Sequence, residues 1–195
     1  MKKNAAVFLD RDGTINEEVG YLDRAGKLRM IPAAFEAIRL INESGMKAVV
    51  VSNQAGVAKG LFTESFVHEI NSLIQNLLQE KGARIDAFYF CPHHPTEGSN
   101  PYRAVCNCRK PAAGMLHQAA ADEDIDLARS YLIGDRLRDI ETAHRAGAKG
   151  VLVATGYGQD AMQESGQDEQ SEMNKPDYNA KDILEAVHWI LKDRT

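Results

Sequence analysis

The chain has 195 residues, which is enough for a single domain with a sizeable hydrophobic core. Its formal net charge of −5 argues against nucleic acid as the main partner, and no apolar stretch is long enough for a signal-peptide core or a membrane span. The three cysteines are an odd number, which does not indicate a disulfide framework.

The first predicted strand ends in two carboxylates. Residues 7–9 (Val-Phe-Leu) are typical of a strand buried on both faces, and Asp10 follows where open α/β sheets bind ligands. Asp12 comes two residues later, before Gly13. Neighbouring carboxylates repel unless a cation lies between them, and hard oxygen ligands suit Mg²⁺. The alternative is a strand that ends in an Asp-rich turn.

Hydrophobic patterns and turn residues predict four further strands and five helices. The strands are expected at residues 47–51, 85–90, 131–133 and 150–154. The helices are expected at residues 32–44, 63–81, 111–121, 137–145 and 180–192. Residues 159–174 contain five acidic residues and no basic one, so they are predicted to form an exposed acidic loop.

Strands that alternate with helices indicate an α/β fold, with a Rossmann-like, doubly wound parallel sheet and helices on both faces. Right-handed crossovers around a central first strand predict the strand order 3-2-1-4-5. We expect one domain over residues 1–195, with short loops after the first two strands that leave no room for a large cap domain. The carboxyl ends of strands one, two and four then bring Asp10, Ser52 and Asp135 to one edge of the sheet.

These side chains supply what phosphoryl transfer needs, which is positioning and positive charge. Asp10 is the predicted nucleophile, which would form an aspartyl-phosphate, and Asp12 is the predicted general acid and then base. Ser52 and Asn53 can donate hydrogen bonds to phosphate oxygens. Asp135 would complete a Mg²⁺ site with Asp10 and the backbone carbonyl of Asp12.

A lysine adds the positive charge. Lys110 directly precedes Pro111, the predicted start of a helix, so its ammonium and the helix N-terminus can favour the same anion. Asp139 is expected either to reach the metal through water or to orient Arg136 or Lys110. Each of these residues alone also fits a turn or a solvated charge, but their joint placement at strand and helix ends favours a site.

A second group of candidate ligands lies in the long irregular loop at residues 91–110. All three cysteines fall there, in two ligand pairs spaced i, i+2, which in extended chain puts both side chains on one side. The predicted Zn²⁺ ligands are Cys91, His93, Cys106 and Cys108. Such a set is closed and tetrahedral, hence structural, and would staple the loop that leads to Lys110. His94 is a rival ligand, and three incidental reduced cysteines are the alternative to a site.

The segment from Asp10 to Thr14, Asp-Arg-Asp-Gly-Thr, resembles the first motif of the haloacid-dehalogenase superfamily of phosphatases. The other parts follow in the superfamily's order over residues 5–156: a hydroxyl after strand two, a lysine, and Gly-Asp-x-x-x-Asp, here Ser52, Lys110 and Gly134 to Asp139. The zinc loop, Cys-x-His and Cys-x-Cys-Arg-Lys-Pro, makes the chain similar to the branch of histidinol phosphatases and heptose-bisphosphate phosphatases.

The resemblance implies a cytoplasmic, monomeric, Mg²⁺-dependent hydrolase of a phosphorylated sugar, and favours a heptose bisphosphate used for lipopolysaccharide precursors. The substrate contacts that it implies are Glu18, Val19, Gly20, Tyr21, Ser52, Asn53, Gln54, Ala55, Arg109 and Lys110. Arg109 suits a second phosphate, because its planar fork binds phosphate bidentately. Ser52 replaces a threonine that is common in the branch but keeps the hydroxyl.

Three other functions fit parts of the sequence. Histidinol phosphate carries one phosphate and a cationic amine, for which Glu17 or Glu18 could provide a carboxylate. A catalytically silent, zinc-dependent interaction module would share the fold, although the intact set of Asp10, Asp12 and Lys110 argues against it. A nucleic-acid 3′-phosphatase is disfavoured by the acidic net charge and the absence of a basic stripe.

Overall fold

The computed structural model describes residues 3–165 and 172–194. Its strands are β1 (Ala6–Leu9), β2 (Lys47–Asn53), β3 (Ala87–Cys91), β4 (Tyr131–Gly134), β5 (Lys149–Val153) and β6 (Tyr178–Ala180). Its helices are α1 (Pro32–Glu43), α2 (Glu64–Gln79), α3 (Gly114–Asp122), α4 (Leu137–Arg145), α5 (Gly158–Ser165) and α6 (Ile183–Asp193). Short 3-10 helices lie at Ala25–Lys27, Leu127–Arg129 and Glu172–Asn174.

The strands form one parallel sheet in the order β3-β2-β1-β4-β5-β6. The predicted doubly wound fold and the order of the first five strands are therefore confirmed. β1 is central and fully buried, and Leu9 pairs with Val50 on one side and Ile133 on the other. This register brings the residues that follow β1, β2 and β4 to the same edge of the sheet.

Alternate residues of the strands pack on opposite faces, which produces two hydrophobic cores. One core joins Val7 and Leu9 to the buried sides of α1, α2 and α6. The other joins Phe8 to α3 and α4. A smaller cluster, in which Ala161 of α5 contacts Ile140 and Leu152, extends the second face. The helices therefore cover both sides of the sheet and leave its carboxyl edge open.

The structure corrects three predictions and adds one strand. The last helix, expected at residues 180–192, spans Ile183–Asp193, because Ala180 belongs to the added strand. The prediction of an acidic loop at residues 159–174 is wrong for the residues that the structure describes. There, α5 occupies Gly158–Ser165 and a 3-10 helix spans Glu172–Asn174. Residues 166–171 lie outside the described part. The helix expected to begin at Pro111 begins at Gly114. β6 was not predicted, and it pairs with β5 through Val153 and Ala180.

The connections after β1 and β2 contain little regular secondary structure. Residues 10–31 contain turns, isolated bridges and one 3-10 helix, and residues 54–63 contain only turns and bends. The described chain therefore places no cap domain at either connection. Over the same residues, none of the helices is long and apolar enough to cross a membrane.

Candidate active site

The carboxyl edge of the sheet opens into a cavity of about 270 Å³. The strand ends, the loop after β1 and the start of α4 all contribute to its walls. The residues that line it are Asp10, Asp12, Glu18, Gly20, Tyr21, Ser52, Asn53, Gln54, Ala55, Gly56, Phe62, Arg109, Asp135, Arg136, Arg138 and Tyr157. Most of the site residues predicted from the sequence line this one cavity.

Lys110 is buried beneath the cavity, between two carboxylates. Its Nζ lies 3.0 Å from Asp10 Oδ1 and 2.5 Å from Asp139 Oδ1. Burial would lower the pKa of Lys110, but the charges of Asp10 and Asp139 outweigh it and raise that pKa. Asp139 Oδ2 also accepts a hydrogen bond from the Arg136 backbone N–H at 3.1 Å. Of the two roles expected for Asp139, the geometry gives the orienting one.

Asp12 is held by a ring of donors. Arg11 Nη2 donates to Asp12 Oδ2 at 2.9 Å, and the amides of Asn16 and Gln54 each donate to its carboxylate at 2.9 Å. Arg11 is itself buried, and its Nη1 donates to Asn71 Oδ1 at 3.3 Å. Burial favours the neutral acid, yet Arg11 and these hydrogen bonds prevail and lower the pKa of Asp12. Asp12 is therefore ionised before a substrate arrives.

Ser52 and Asn53, the last two residues of β2, have different hydrogen-bond partners. Ser52 Oγ accepts a hydrogen bond from Gln54 Nε2 at 2.7 Å, which leaves its own hydroxyl hydrogen free to donate. Asn53, expected to donate to phosphate, instead pairs with the main chain of Lys110: it accepts from the backbone N–H and donates to the carbonyl oxygen, both at 3.0 Å. α3 begins four residues after Lys110, so the Asn53 side chain, rather than the expected helix N-terminus, fixes the Lys110 main chain.

The carboxylates of Asp10 and Asp135 could hold a cation, because Lys110 pairs with Asp10 while Asp135 has no ion pair with any described residue. Oxygens of Asp10, Asp135 and Asp139 lie within 4.8 Å of one another, and Asp139 is already paired with Lys110. Burial raises the pKa of Asp10 to about 6, and burial together with the charge of Asp10 raises the pKa of Asp135 to about 7. Two buried carboxylates that resist ionisation side by side suit a hard divalent cation such as Mg²⁺.

The turn between β5 and α5 closes around Asp135. Gly13 and Gly156 have φ of +85° and +58°, and a Cβ on either would lie 2.2 Å from Asp135 Oδ2. The Tyr157 backbone N–H donates to the same oxygen at 2.9 Å, and Thr155 Oγ1 donates to the Gly13 carbonyl at 2.6 Å. Our sequence reasoning missed this turn, and its only signal is Thr-Gly-Tyr-Gly after a strand.

The four predicted zinc ligands come together in the loop between β3 and α3. Their side-chain ligand atoms all lie within 4.8 Å of one another: Cys91, His93, Cys106 and Cys108. The sulfurs are 3.1–3.5 Å apart, and His93 Nδ1 lies 3.4 Å from the Cys108 sulfur. His94, the rival, lies outside the cluster, and its Nδ1 accepts a hydrogen bond from the Glu97 backbone N–H at 2.9 Å. Three sulfurs and one imidazole fit Zn²⁺ with no position left open.

This cluster is tied directly to the cavity. Arg109 Nη1 donates to the carbonyl oxygen of His93 at 3.0 Å, so the loop that carries the cluster also orients a cavity guanidinium. The implied contacts Glu18, Gly20 and Tyr21 line the cavity as well. Val19 does not: it is absent from the lining and 38% exposed.

Sequence reasoning missed five further wall residues: Gly56, Phe62, Arg136, Arg138 and Tyr157. Arg136, considered only as a partner of Asp139, and Arg138 project from the start of α4, and the Arg136 guanidinium lies 3.5 Å from the centre of the Tyr157 ring. The signal for the two arginines is the sequence Gly-Asp-Arg-Leu-Arg at the end of β4, in which two basic residues follow the predicted metal ligand Asp135.

The fold and this arrangement define a phosphatase of the haloacid-dehalogenase type, and comparison with known proteins agrees. The family model described as HAD-hydrolase-like matches residues 107–186. The D-glycero-D-manno-heptose-1,7-bisphosphate 7-phosphatase of Thermosynechococcus vestitus is 42% identical over 189 residues, which cover 95% of this chain and 94% of the relative. The D-glycero-beta-D-manno-heptose-1,7-bisphosphate 7-phosphatase of Escherichia coli K12 is 41% identical over 157 residues, which cover 80% and 82%.

A solved structure agrees in fold. The D,D-heptose 1,7-bisphosphate phosphatase of B. bronchiseptica, complexed with magnesium and phosphate, superposes with a TM-score of 0.83 at 29% identity, and the match covers 97% of this chain and 99% of that one. The chain belongs to the family of these heptose-bisphosphate phosphatases within the haloacid-dehalogenase superfamily. The resemblance predicted from the motifs is thereby confirmed.

Proposed function

We propose that this phosphatase removes the 7-phosphate of D-glycero-D-manno-heptose 1,7-bisphosphate, a step toward heptose precursors of lipopolysaccharide. The observation that carries the proposal is the convergence of Asp10, Lys110 and Asp135 at the floor of a cavity whose wall is rich in guanidinium groups. The floor suits the phosphoryl group that is transferred, and the wall suits a second anion on the same small substrate.

The chemistry follows from the positions of the side chains. Asp10 would attack phosphorus to form an aspartyl-phosphate while Lys110 and the Ser52 hydroxyl hold phosphoryl oxygens. Asp12 would protonate the departing sugar oxygen and then activate water against the acyl-phosphate. Because Asp12 is ionised in the free site, this role requires the negative charge of a bound phosphate ester to raise its proton affinity.

Two metals complete the proposal. Asp10, Asp135 and the Asp12 carbonyl would hold Mg²⁺, which when bound neutralises charge on the phosphoryl oxygens. Cys91, His93, Cys106 and Cys108 would hold a structural Zn²⁺ that keeps Arg109 and Lys110 in place. Thiolate ligands persist in a reducing compartment, which supports a cytoplasmic enzyme. The small, self-contained site supports function as a monomer.

Histidinol phosphate is the second candidate substrate, and one observation bears on it. Glu18 lines the cavity and could pair with a cationic amine. However, its Oε1 already accepts a hydrogen bond from the Gly20 backbone N–H at 2.6 Å, and three guanidinium groups share the same cavity. Like charges disfavour an ammonium there, so the wall supports the bisphosphate.

The test is phosphate release from a panel of heptose 1,7-bisphosphate, fructose 1,6-bisphosphate and histidinol phosphate, with and without Mg²⁺. We expect the heptose bisphosphate to give the highest kcat/KM, Mg²⁺ to be required, and ³¹P spectra to show a remaining 1-phosphate. Higher kcat/KM for histidinol phosphate would overturn the substrate.

A nucleophile variant tests the mechanism in the same assay. Asp10→Asn should lower kcat by roughly 10³-fold or more, because the amide cannot form the aspartyl-phosphate. Asp160→Asn, an exposed acid outside the cavity lining, should leave kcat unchanged and serves as the matched control. Circular dichroism must show the same fold for both variants. Retained turnover in Asp10→Asn would remove Asp10 from the nucleophile role.

A further inference from the structure

Arg138 differs from the other two arginines of the cavity wall. Arg109 donates to the His93 carbonyl, and Arg136 stacks on Tyr157. Arg138 has no ion pair or side-chain hydrogen bond to any described residue, and its Nε is buried without a partner. A buried N–H that lacks an acceptor is unfavourable, so its guanidinium suits a ligand that supplies one.

Arg138 lies in the same cavity as the predicted nucleophile. It is the second residue of α4, three residues after Asp135, and it lines the same cavity as Asp10. Arg109 lines this cavity too, so the guanidinium groups of Arg109 and Arg138 share one site. Two cationic groups that line one cavity repel each other, and an anion bound to both would relieve that repulsion.

We propose that Arg138 is a specificity-determining residue that binds, together with Arg109, the phosphate that is not transferred. The inference rests on the proposed bisphosphate substrate and adds to it a residue that the superfamily motif leaves unspecified, since this position is one of the variable ones in Gly-Asp-x-x-x-Asp. The wall then distinguishes a bisphosphate from a monophosphate, while Lys110 and Asp10 act on either.

The experiment compares Arg138→Gln and Arg138→Lys with wild type on two kinds of substrate. For a sugar bisphosphate, Arg138→Gln should raise KM ~10- to 100-fold with kcat changed less than about twofold, which is the range for a charge-assisted hydrogen bond. For p-nitrophenyl phosphate, which has one phosphate, both constants should stay at wild-type values. Arg138→Lys should recover part of the loss, since it keeps the charge but not the fork.

Inhibition gives a second readout. The sugar 1-phosphate product should inhibit Arg138→Gln less well than wild type, whereas inorganic phosphate, which probes the transfer position, should inhibit both equally. Arg145→Gln, on the same helix and paired with Glu141, is the matched control and should behave as wild type in every assay.

The outcomes separate this inference from the proposed function. Running fructose 1,6-bisphosphate in parallel tests the discrimination by Arg138 even if the heptose proves to be the wrong sugar. Equal losses on the bisphosphate and on p-nitrophenyl phosphate would overturn the inference and assign Arg138 to the transferred phosphoryl group or to the fold. An unchanged KM of Arg138→Gln for the bisphosphate would also overturn the inference. So would a wild-type enzyme with the same KM for the bisphosphate and for p-nitrophenyl phosphate.

Discussion

Lys110 is held at both ends, its ammonium by two carboxylates and its main chain by one side-chain amide. Asp10 and Asp139 fix its Nζ, while Asn53 fixes its main chain through a reciprocal pair of hydrogen bonds. A buried cation held from both ends loses little freedom when a phosphate arrives. Positioning of this kind is a large part of phosphoryl transfer, so Asn53 can affect the rate through its hydrogen bonds to Lys110.

Asn53→Ala tests this at the scale of one residue. The variant removes both hydrogen bonds to Lys110, so we expect the free energy of unfolding to fall by roughly 1–3 kcal/mol. We also expect kcat to fall by about 10- to 100-fold with KM changed little, because the ammonium moves away from the reacting group. Urea unfolding and steady-state kinetics on the bisphosphate measure the two effects.

The chain offers a matched control for that variant. Asn42 makes the same reciprocal pair with the main chain of Arg84, at 3.0 and 2.9 Å, near the amino edge of the sheet. Asn42→Ala should therefore lower stability by a similar amount and leave kcat unchanged. If Asn42→Ala and Asn53→Ala lose the same fraction of activity, the loss reflects stability and the positioning role of Asn53 is refuted.

At the scale of elements, we expect the loop between β3 and α3 to depend on a Zn²⁺ held by its Cys/His cluster. The loop has few apolar side chains to bury, and the ligands come from both of its ends. Cys106→Ser should lose the bound Zn²⁺, lower the free energy of unfolding by several kcal/mol, and reduce kcat because Arg109 and Lys110 follow directly. Elemental analysis and thermal unfolding of the purified variant measure this.

The neighbouring histidine provides the comparison for Cys106→Ser. His94 lies beside the ligand His93 in sequence but outside the cluster in space. His94→Ala should retain a full zinc content. Full zinc in Cys106→Ser, or loss of zinc from His94→Ala, would contradict the ligand assignment.

The central elements could be predicted because their signal is local. β1 and β4 are short apolar runs that end in a carboxylate or in Gly-Asp, and burial on both faces gives them continuous hydrophobic sequence. Strand order then follows from crossover handedness. The parallel register fixes which residues share an edge, which is why Asp10, Ser52 and Asp135 could be placed together from sequence.

The elements that sequence missed derive their stability from distant contacts. α5 has an acidic, weakly apolar sequence, and Ala161 packs on Ile140 and Leu152, which composition cannot reveal. β6 is only three residues long and exists as the partner of β5. In the sequence, Arg138 cannot be told from an arginine whose charge is exposed to solvent on the first turn of a helix. Arg138 becomes part of the cavity wall only because the first turn of α4 lies at the cavity.

At the scale of the whole molecule, the site joins two halves of the chain. Asp10 and Ser52 come from the first half, and Asp135 and the α4 arginines come from the second. Lys110 reaches the floor from the metal loop that connects them. Asp10 and Asp135 lie close together while Lys110 pairs with only the first of them, so the folded state should be stabilised by the cation that the reaction uses.

Asp135→Asn tests this coupling between metal and fold. In wild type, buried Asp10 and Asp135 repel without a cation, and Mg²⁺ that binds only the folded state should add ~2.7 kcal/mol at 100 times its Kd. The variant keeps an oxygen for the Tyr157 N–H but removes one charge. We therefore expect Asp135→Asn to melt above wild type in buffer without Mg²⁺, and to gain little when Mg²⁺ is added, while activity is lost. Thermal unfolding with and without Mg²⁺, at constant ionic strength set with NaCl, measures both shifts. An equal gain in Tm for the two proteins would mean that Mg²⁺ binds elsewhere than between Asp10 and Asp135.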